Sequence, residues 1–106
     1  MTTFDSREKG FENKFAHDEE LRFKATARRN KLLGGWAAEK MGITGDAAVA
    51  YAKEVVASDF EEVGDDDVVR KVVADFKAKN ITQSEQQIRQ AMDELMHTAI
   101  AQIEAT

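Results

Sequence analysis

The chain contains neither cysteine nor proline in its 106 residues. Without cysteine it has no disulfide framework, no thiolate metal ligand and no thiol nucleophile. Without proline, no residue forbids a long helix, because proline removes a backbone donor and clashes with the preceding turn. Long apolar runs are missing as well, since none approaches the roughly 20 residues of a membrane span, and no secretory signal pattern opens the chain. We therefore expect a cytoplasmic protein that does not insert directly into a membrane.

Positive charge is also in short supply. Lys and Arg total 15 against 20 Asp and Glu, which gives a net charge of −5. A nucleic-acid-binding surface needs a basic face to neutralise phosphates, so this balance disfavours nucleic acid as a partner. An apolar content of 42% is nevertheless enough for one modest core, and the length is that of a single domain.

Glycine and asparagine supply the interruptions that proline does not. They fall at residues 42–45, at Gly64 and at residues 80–82. The segments between these interruptions predict four helices, at residues 18–41, 46–62, 66–79 and 83–104. Connections this short are typical of antiparallel neighbours in a small bundle. The predicted fold class is therefore all-α, a small four-helix bundle preceded by a mobile N-terminal arm.

Three of the four predicted helices have a candidate cap, and all four have a candidate buried face. Asp46 is the expected cap of the second helix, Asp65 or Asp66 that of the third, and Thr82 with Glu85 forms a capping box before the fourth. Helical spacing predicts four buried faces. These are Leu21, Ala25, Leu32 and Trp36; Val49, Ala52, Val56 and Phe60; Val69, Val72, Val73 and Phe76; and Ile88, Ala91, Met92, Leu95, Ala99 and Ile103. The pair Gly34-Gly35 predicts a kink or a close helix crossing.

The N-terminal stretch carries an apolar stripe of its own. On a helix, Phe4, Phe11 and Phe15 fall within about 40° of one another, and the stripe of the first body helix is rotated from theirs by roughly 70°. Burying each ring gains roughly 1.5–3 kcal/mol. Ordering the roughly sixteen residues of the stretch costs about 1–2 kcal/mol for each residue, and Gly10 adds about 1 kcal/mol. The gain is therefore too small for the stretch to fold alone.

The predicted organisation is therefore an arm and a body. Residues 1–17 form an arm that is disordered or partly helical when free and becomes helical against a partner. Residues 18–106 form the four-helix body. The alternative, which the pattern supports equally, is that the three rings pack on the body of the same chain.

No residue pattern predicts catalysis or metal binding. His17 and His97 lie far apart and outside any metal-ligand spacing. The run Asp65-Asp66-Asp67 lacks the alternation of an EF-hand loop and is better interpreted as acids at a helix N-terminus. No Ser, His and Asp form a nucleophile motif. We expect no enzyme, no catalytic residue, no metal site and no cofactor.

One basic cluster, Arg28, Arg29 and Lys31, lies beside the glycine pair. Its charge suits contact with a phosphate, such as that of a weakly bound adenine nucleotide, or with an acidic partner. A solvated helix face explains the cluster as well and with fewer assumptions.

Three strings of the sequence are long and unusual in composition. They are residues 11–20, FENKFAHDEE, residues 27–34, ARRNKLLG, and residues 36–39, WAAE. With them the chain resembles, over essentially its whole length, the zeta subunit of the F-type ATP synthase of alphaproteobacteria. The resemblance implies a four-helix inhibitor of ATP hydrolysis whose N-terminal arm wedges as a helix into an interface between alpha and beta subunits, near gamma. It also implies a cytoplasmic protein that is peripheral at the inner membrane through the synthase head.

Carried over to this sequence, the resemblance implies a set of partner-binding residues in the arm. The apolar anchors are Phe4, Phe11 and Phe15, and the residues that set register by charge are Arg7, Glu8, Glu12 and Lys14. Two positions depart from the expected pattern, because Gly10 replaces a helix former and Gly35 replaces a larger apolar residue. The alternative function is a helical adaptor, a self-associating protein or a nucleotide-binding regulator without strong inhibitory activity.

Overall fold

Four α-helices follow one another in the computed structural model, which describes residues 18–60 and 64–105. We name them α1 (Glu19–Lys40), α2 (Gly45–Ala57), α3 (Asp66–Ala78) and α4 (Glu85–Ala105). A short 3-10 helix, Ser58–Phe60, follows α2 directly. The described ranges contain no β-strand, and the predicted all-α, four-helix fold is confirmed. The predicted arm, residues 1–17, lies outside the described residues.

Helix α1 begins at Glu19, one residue after the predicted start at residue 18. Asp18 is its N-cap, with extended backbone, and its carboxylate accepts a hydrogen bond from the Leu21 backbone N–H at 3.1 Å. This bond satisfies one of the orphan donors at the start of the helix. Glu19 and Glu20 occupy the first turn, where negative charge is favourable next to the helix dipole.

The ends of α1 and α3 share one motif. After α1, Gly42 has a φ of 73°, and the N–H of Ile43 donates to the carbonyl of Ala38 at 2.8 Å. This is the bond pattern of a Schellman ending, which needs a left-handed residue just past the helix. Helix α3 ends in the same way at Asn80, whose φ is 60°. The predicted interruptions at residues 42–45 and 80–82 are therefore confirmed.

The start and end of α2 differ from the prediction. Thr44 is the N-cap, so the prediction of Asp46 as the cap is wrong, and Asp46 lies in the first turn instead. The helix is also shorter than predicted, because its α-helical part ends at Ala57 and tightens into the 3-10 turn.

The capping box of α4 lies two residues later than predicted. Ser84 Oγ accepts a hydrogen bond from the Gln87 N–H at 3.1 Å, and Gln87 Oε1 accepts one from the Ser84 N–H at 2.9 Å. The prediction of Thr82 with Glu85 is therefore wrong. Both pairs have the capping-box spacing, but Ile81 packs against the core and holds the chain before Ser84 in an irregular path.

The core lies where α1 packs against α2 and α4, with α3 closing it. Trp36 contacts Phe76 there, with ring centroids 5.8 Å apart. The predicted faces of α3 and α4 are largely confirmed, with Val68 as an unpredicted core residue and Val73 only partly buried. The buried core consists of Leu33, Ala37, Ala38, Tyr51, Val55, Val68, Val69, Val72, Phe76, Ile88 and Met92.

The predicted buried face of α2 is wrong in part. Tyr51, Ala52 and Val55 are buried, whereas Val49 is 55% exposed. Val56 is half-buried, and the side chain of Phe60 is outside the described part of the chain. The helix is rotated so that a Tyr ring enters the core, and the Tyr51 hydroxyl donates to Asp75 Oδ2 at 2.8 Å, which satisfies it there.

The predicted face of α1 is rotated in a similar way. Ala25 is buried as predicted, but Leu21, Leu32 and Trp36 are only half-buried. The fully buried line runs instead through Leu33 and the two alanines of the WAAE string. Leu21 and Leu32 therefore leave half-buried apolar surface along α1, Leu21 near Ile103 of α4 and Leu32 near α2.

Gly34 sets the distance between α1 and α2. A Cβ atom placed on Gly34 would lie 2.5 Å from the Cα of Ala52, closer than any side chain tolerates. The predicted close helix crossing at the glycine pair is therefore confirmed.

Candidate functional site

The predicted partner-binding residues stay a prediction, because all of them lie outside the described residues. They are Phe4, Arg7, Glu8, Phe11, Glu12, Lys14 and Phe15. The described part of the chain begins directly after the predicted arm, at Asp18. At Asp18 the backbone is extended, with φ −103° and ψ 107°, so the axis of α1 does not continue through this residue.

An open groove runs along α1 from this junction. Its first part has a volume of about 560 Å³ and its second part about 600 Å³, and Lys31 and Val56 line both. We call these two adjoining depressions together the α1–α2 groove. The other residues of the first part are Leu21, Lys24, Ala27, Arg28 and Ile103. The other residues of the second part are Leu32, Gly35, Ala48, Val49, Ala52, Lys53 and Ala57.

The groove follows from the rotation of α2. Because Tyr51 and Val55 face the core, Val49 and Val56 are turned away from it and form an apolar floor. Gly35 adds no side chain above this floor. Sequence reasoning missed the groove because it placed both valines inside the core. The available signal was that Ala48, Tyr51, Ala52 and Val55 have the same i, i+3, i+4, i+7 spacing.

The structure brings together two members of the predicted basic cluster and separates the third. Arg28 and Lys31 both line the first part of the groove, and Arg28 Nη1 donates to Gln102 Oε1 at 3.0 Å. Arg29 is only 4% exposed and lies on the buried side of α1. Contact of a nucleotide with these residues stays a prediction.

Arg29 is the centre of a buried polar network. Its guanidinium donates to both carboxylate oxygens of Asp65, at 2.8 and 3.2 Å, and to Asn30 Oδ1 at 2.9 and 3.0 Å. Asn30 Nδ2 in turn donates to Asp59 Oδ2 at 3.1 Å. The network joins α1 to the 3-10 turn and to the N-cap of α3. Sequence reasoning missed it, although Arg29 lies four residues from both Ala25 and Leu33, on the buried line of the helix.

The acids near the start of α3 are crowded. Burial raises the pKa of Asp59, and the nearby Asp65 and Asp67 raise it further, while Asn30 and Arg29 oppose the shift. Asp67 is buried and pairs with Arg70 through Oδ1, while its Oδ2 has no hydrogen-bond partner among the described residues.

The acids at residues 65–67 lie at a helix N-terminus, as predicted, with Asp65 as the N-cap. Each also pairs with an arginine. Arg29 binds Asp65, Arg70 binds Asp67, and Arg89 reaches Asp66 at 3.0 Å from α4. Within the described ranges, no group of three or more His, Asp or Glu side chains is placed to hold a metal ion. The acidic run thus connects elements of the body.

Comparison with known proteins places the chain in a family. The model of the ATPase inhibitor subunit zeta family matches residues 1–102. A chain solved by solution NMR is 49% identical, with the match covering 80% of this chain and 96% of that chain, at a TM-score of 0.73. Curated proteins gave no match. In the part of the chain that the structure describes, no helix is long and apolar enough to cross a membrane. The chain therefore belongs to the ATPase inhibitor subunit zeta family, and this membership supports the role of a regulatory inhibitor that binds the catalytic head of an ATP synthase.

Proposed function

We propose that the chain inhibits ATP hydrolysis by an F-type ATP synthase by means of its N-terminal arm, residues 1–17. The arm enters, as a helix, the catalytic interface between an alpha and a beta subunit near gamma. The observation that carries the proposal is that the family match begins at residue 1 and therefore includes the arm. The protein is then peripheral at the inner membrane, held there through the synthase head.

The chemistry of the arm supports this mode of binding. The apolar stripe of Phe4, Phe11 and Phe15 gains roughly 1.5–3 kcal/mol per ring when another surface buries it. On a helix, Glu8 and Glu12 flank one side of the stripe, and Arg7 and Lys14 flank the other. Opposite charges on the two flanks set the register of such a helix in a cleft.

The body, residues 18–106, prevents the chain from entering the crevice beyond the arm. A crevice that accepts a single helix is about 10–12 Å wide. Helix α1 has 22 residues and packs against α2 and α4, so the body is several helices thick. It remains outside the crevice, and the arm is held at its base by the capped start of α1 at Asp18.

The test moves one ring without changing composition. The full chain carrying Phe11→Asn and Asn13→Phe places the ring on the opposite side of the arm helix. The matched control carries Ser6→Asn and Asn13→Ser, two exchanges on the face away from the stripe. Inhibition of ATP hydrolysis by a purified synthase head is measured as a function of protein concentration.

The ring exchange is expected to weaken inhibition by about tenfold or more, which corresponds to about 1.5–3 kcal/mol for one lost anchor. The control is expected to inhibit like the unaltered chain. Equal potency of the two variants would contradict the role of the stripe. If the unaltered chain leaves hydrolysis unchanged at every concentration, the inhibitory function itself is wrong for this protein.

A further inference from the structure

We propose that the α1–α2 groove holds the chain's own N-terminal arm in the free protein. The synthase must then draw the arm out of the groove before inhibition begins. The effect on inhibition rests on the function proposed above. The docking of the arm on the body does not depend on that function. The three phenylalanine rings of the arm are the group that the groove accepts.

The groove has an apolar floor that the bundle itself does not cover. Val49 is 55% exposed, and among the described residues only Phe23, at 61%, is a large hydrophobic side chain with greater exposure. Val56 and Leu32 are half-buried and extend the floor toward the junction with the arm. Concave apolar surfaces of this size are typical of binding sites.

The rim of the groove complements the arm in charge. Lys24, Lys31 and Lys53 follow the groove from its start to its far end. On an arm helix, Glu8 and Glu12 lie beside the aromatic stripe. With the rings on the apolar floor, the two charged flanks of the arm face opposite walls of the groove. The acidic flank is complementary in charge to Lys24 and Lys31 on the α1 wall.

The length of the arm fits the groove. The groove runs along α1 from Leu21 to Gly35, about 21 Å at helical rise, and the stripe from Phe4 to Phe15 spans about 16 Å on a helix. Because the backbone at Asp18 leaves the axis of α1, the arm is free to turn back along the groove. Phe15 then lies near Leu21.

Phe4 reaches the second part of the groove in the same arrangement. Phe4 and Leu32 lie the same number of residues from Asp18, on opposite sides of it in the sequence. Two helices that run side by side from Asp18 therefore bring Phe4 beside Leu32. Covalent attachment strengthens the contact, because a short tether supplies an effective concentration in the millimolar range. Docking therefore needs only weak intrinsic affinity.

Docking would tune the potency of the inhibitor. A protein whose binding-competent state is only partly populated has an apparent affinity reduced by that fraction. The docked arm is the incompetent state and the released arm the competent one. Any substitution that weakens the binding of the arm to the groove should therefore increase inhibition. Loss of a partner-binding residue has the opposite effect.

The experiment compares two exposed neighbours on α2 in the full chain. Val49→Lys places a charge on the groove floor, and Ala50→Lys places the same charge on an exposed position that does not line the groove. Nuclear Overhauser contacts are measured by NMR between the phenylalanine rings of the arm and the methyl groups of Val49 and Val56. Circular dichroism verifies that both variants keep their helix content.

The unaltered chain and Ala50→Lys are expected to show ring contacts to the Val56 methyls, and Val49→Lys is expected to lose them. Order parameters below about 0.6 through residues 4–15 of the unaltered chain, without such contacts, would overturn the proposal. Contacts that vanish on dilution, or that connect differently labelled copies, would also overturn it, because the occupant would then be a second copy.

Inhibition of the synthase head is the second readout. Val49→Lys is expected to inhibit more strongly than Ala50→Lys, by about two- to tenfold. Lost ring contacts with unchanged inhibition would refute the regulatory effect. If no variant inhibits the head at all, the proposed function fails, while the NMR contacts alone decide whether the arm docks in the groove.

Discussion

Two adjacent glycines of α1 have opposite surroundings. Gly34 is buried against the backbone of Ala52, and the missing side chain lets α1 and α2 approach closely. A Cβ atom on Gly35 would meet no atom of the described residues within 4 Å, and this position is exposed at the edge of the groove. The same residue type is therefore a packing requirement at one position and a backbone weakness at the next.

Substitution of the two glycines by alanine should change stability in opposite directions. Gly34→Ala is expected to destabilise the protein by about 1–3 kcal/mol, because the new methyl group forces the two helices apart. Gly35→Ala is expected to stabilise it by about 0.5–1 kcal/mol, because alanine loses less conformational entropy in a helix. Urea unfolding followed by circular dichroism measures both. Changes of the same sign would mean that Gly34 does not set the crossing.

The helix ends are determined largely by short-range chemistry. The cap at Asp18, the left-handed residues Gly42 and Asn80, and the reciprocal bonds of Ser84 and Gln87 all join groups a few residues apart. Most of these ends could be predicted for that reason. The start of α4 could not, because two overlapping capping boxes compete and the packing of the preceding loop selects one of them.

The choice of capping box gives a prediction for α4. Ser84→Ala is expected to cost about 1 kcal/mol of stability, since it removes the acceptor for an orphan N–H at the start of the helix. Thr82→Ala, at the exposed position that the sequence alone suggests, should change stability by less than about 0.5 kcal/mol. Thermal and urea unfolding of both variants are the measurement. A larger loss of stability for Thr82→Ala than for Ser84→Ala would contradict the capping of α4 by Ser84 and would support capping by Thr82.

At the scale of the whole molecule, paired arginines and aspartates join elements that are distant in sequence. Arg29 on α1 binds Asp65, 36 positions away, and through Asn30 the network also reaches Asp59 in the 3-10 turn. Arg89 on α4 binds Asp66 at the surface. The partly buried pair of Arg29 and Asp65 joins α1 to the start of α3, whereas the pair of Arg89 and Asp66 lies at the surface of the bundle.

Removing the two arginines should separate their roles. Arg29→Met keeps apolar bulk but leaves Asp59 and Asp65 without a cation, and we expect a loss of about 1.5–3 kcal/mol of stability. Arg89→Met removes a solvent-screened pair and should leave stability nearly unchanged. Denaturant midpoints at neutral pH report both. Similar midpoints for the two variants would show that the Arg29 network contributes no more than a surface pair.

The sequence by itself determined the helix count, most helix ends and the family, because these depend on neighbours in the chain and on long characteristic strings. Only the tertiary structure decided which face of α2 enters the core. Ala52 belongs to both candidate faces, and the close approach of Gly34 to it, together with the bond from Tyr51 to Asp75, selects one. That selection exposes Val49 and creates the α1–α2 groove. A groove between helices is a property of packing at a distance, so no local pattern encodes it.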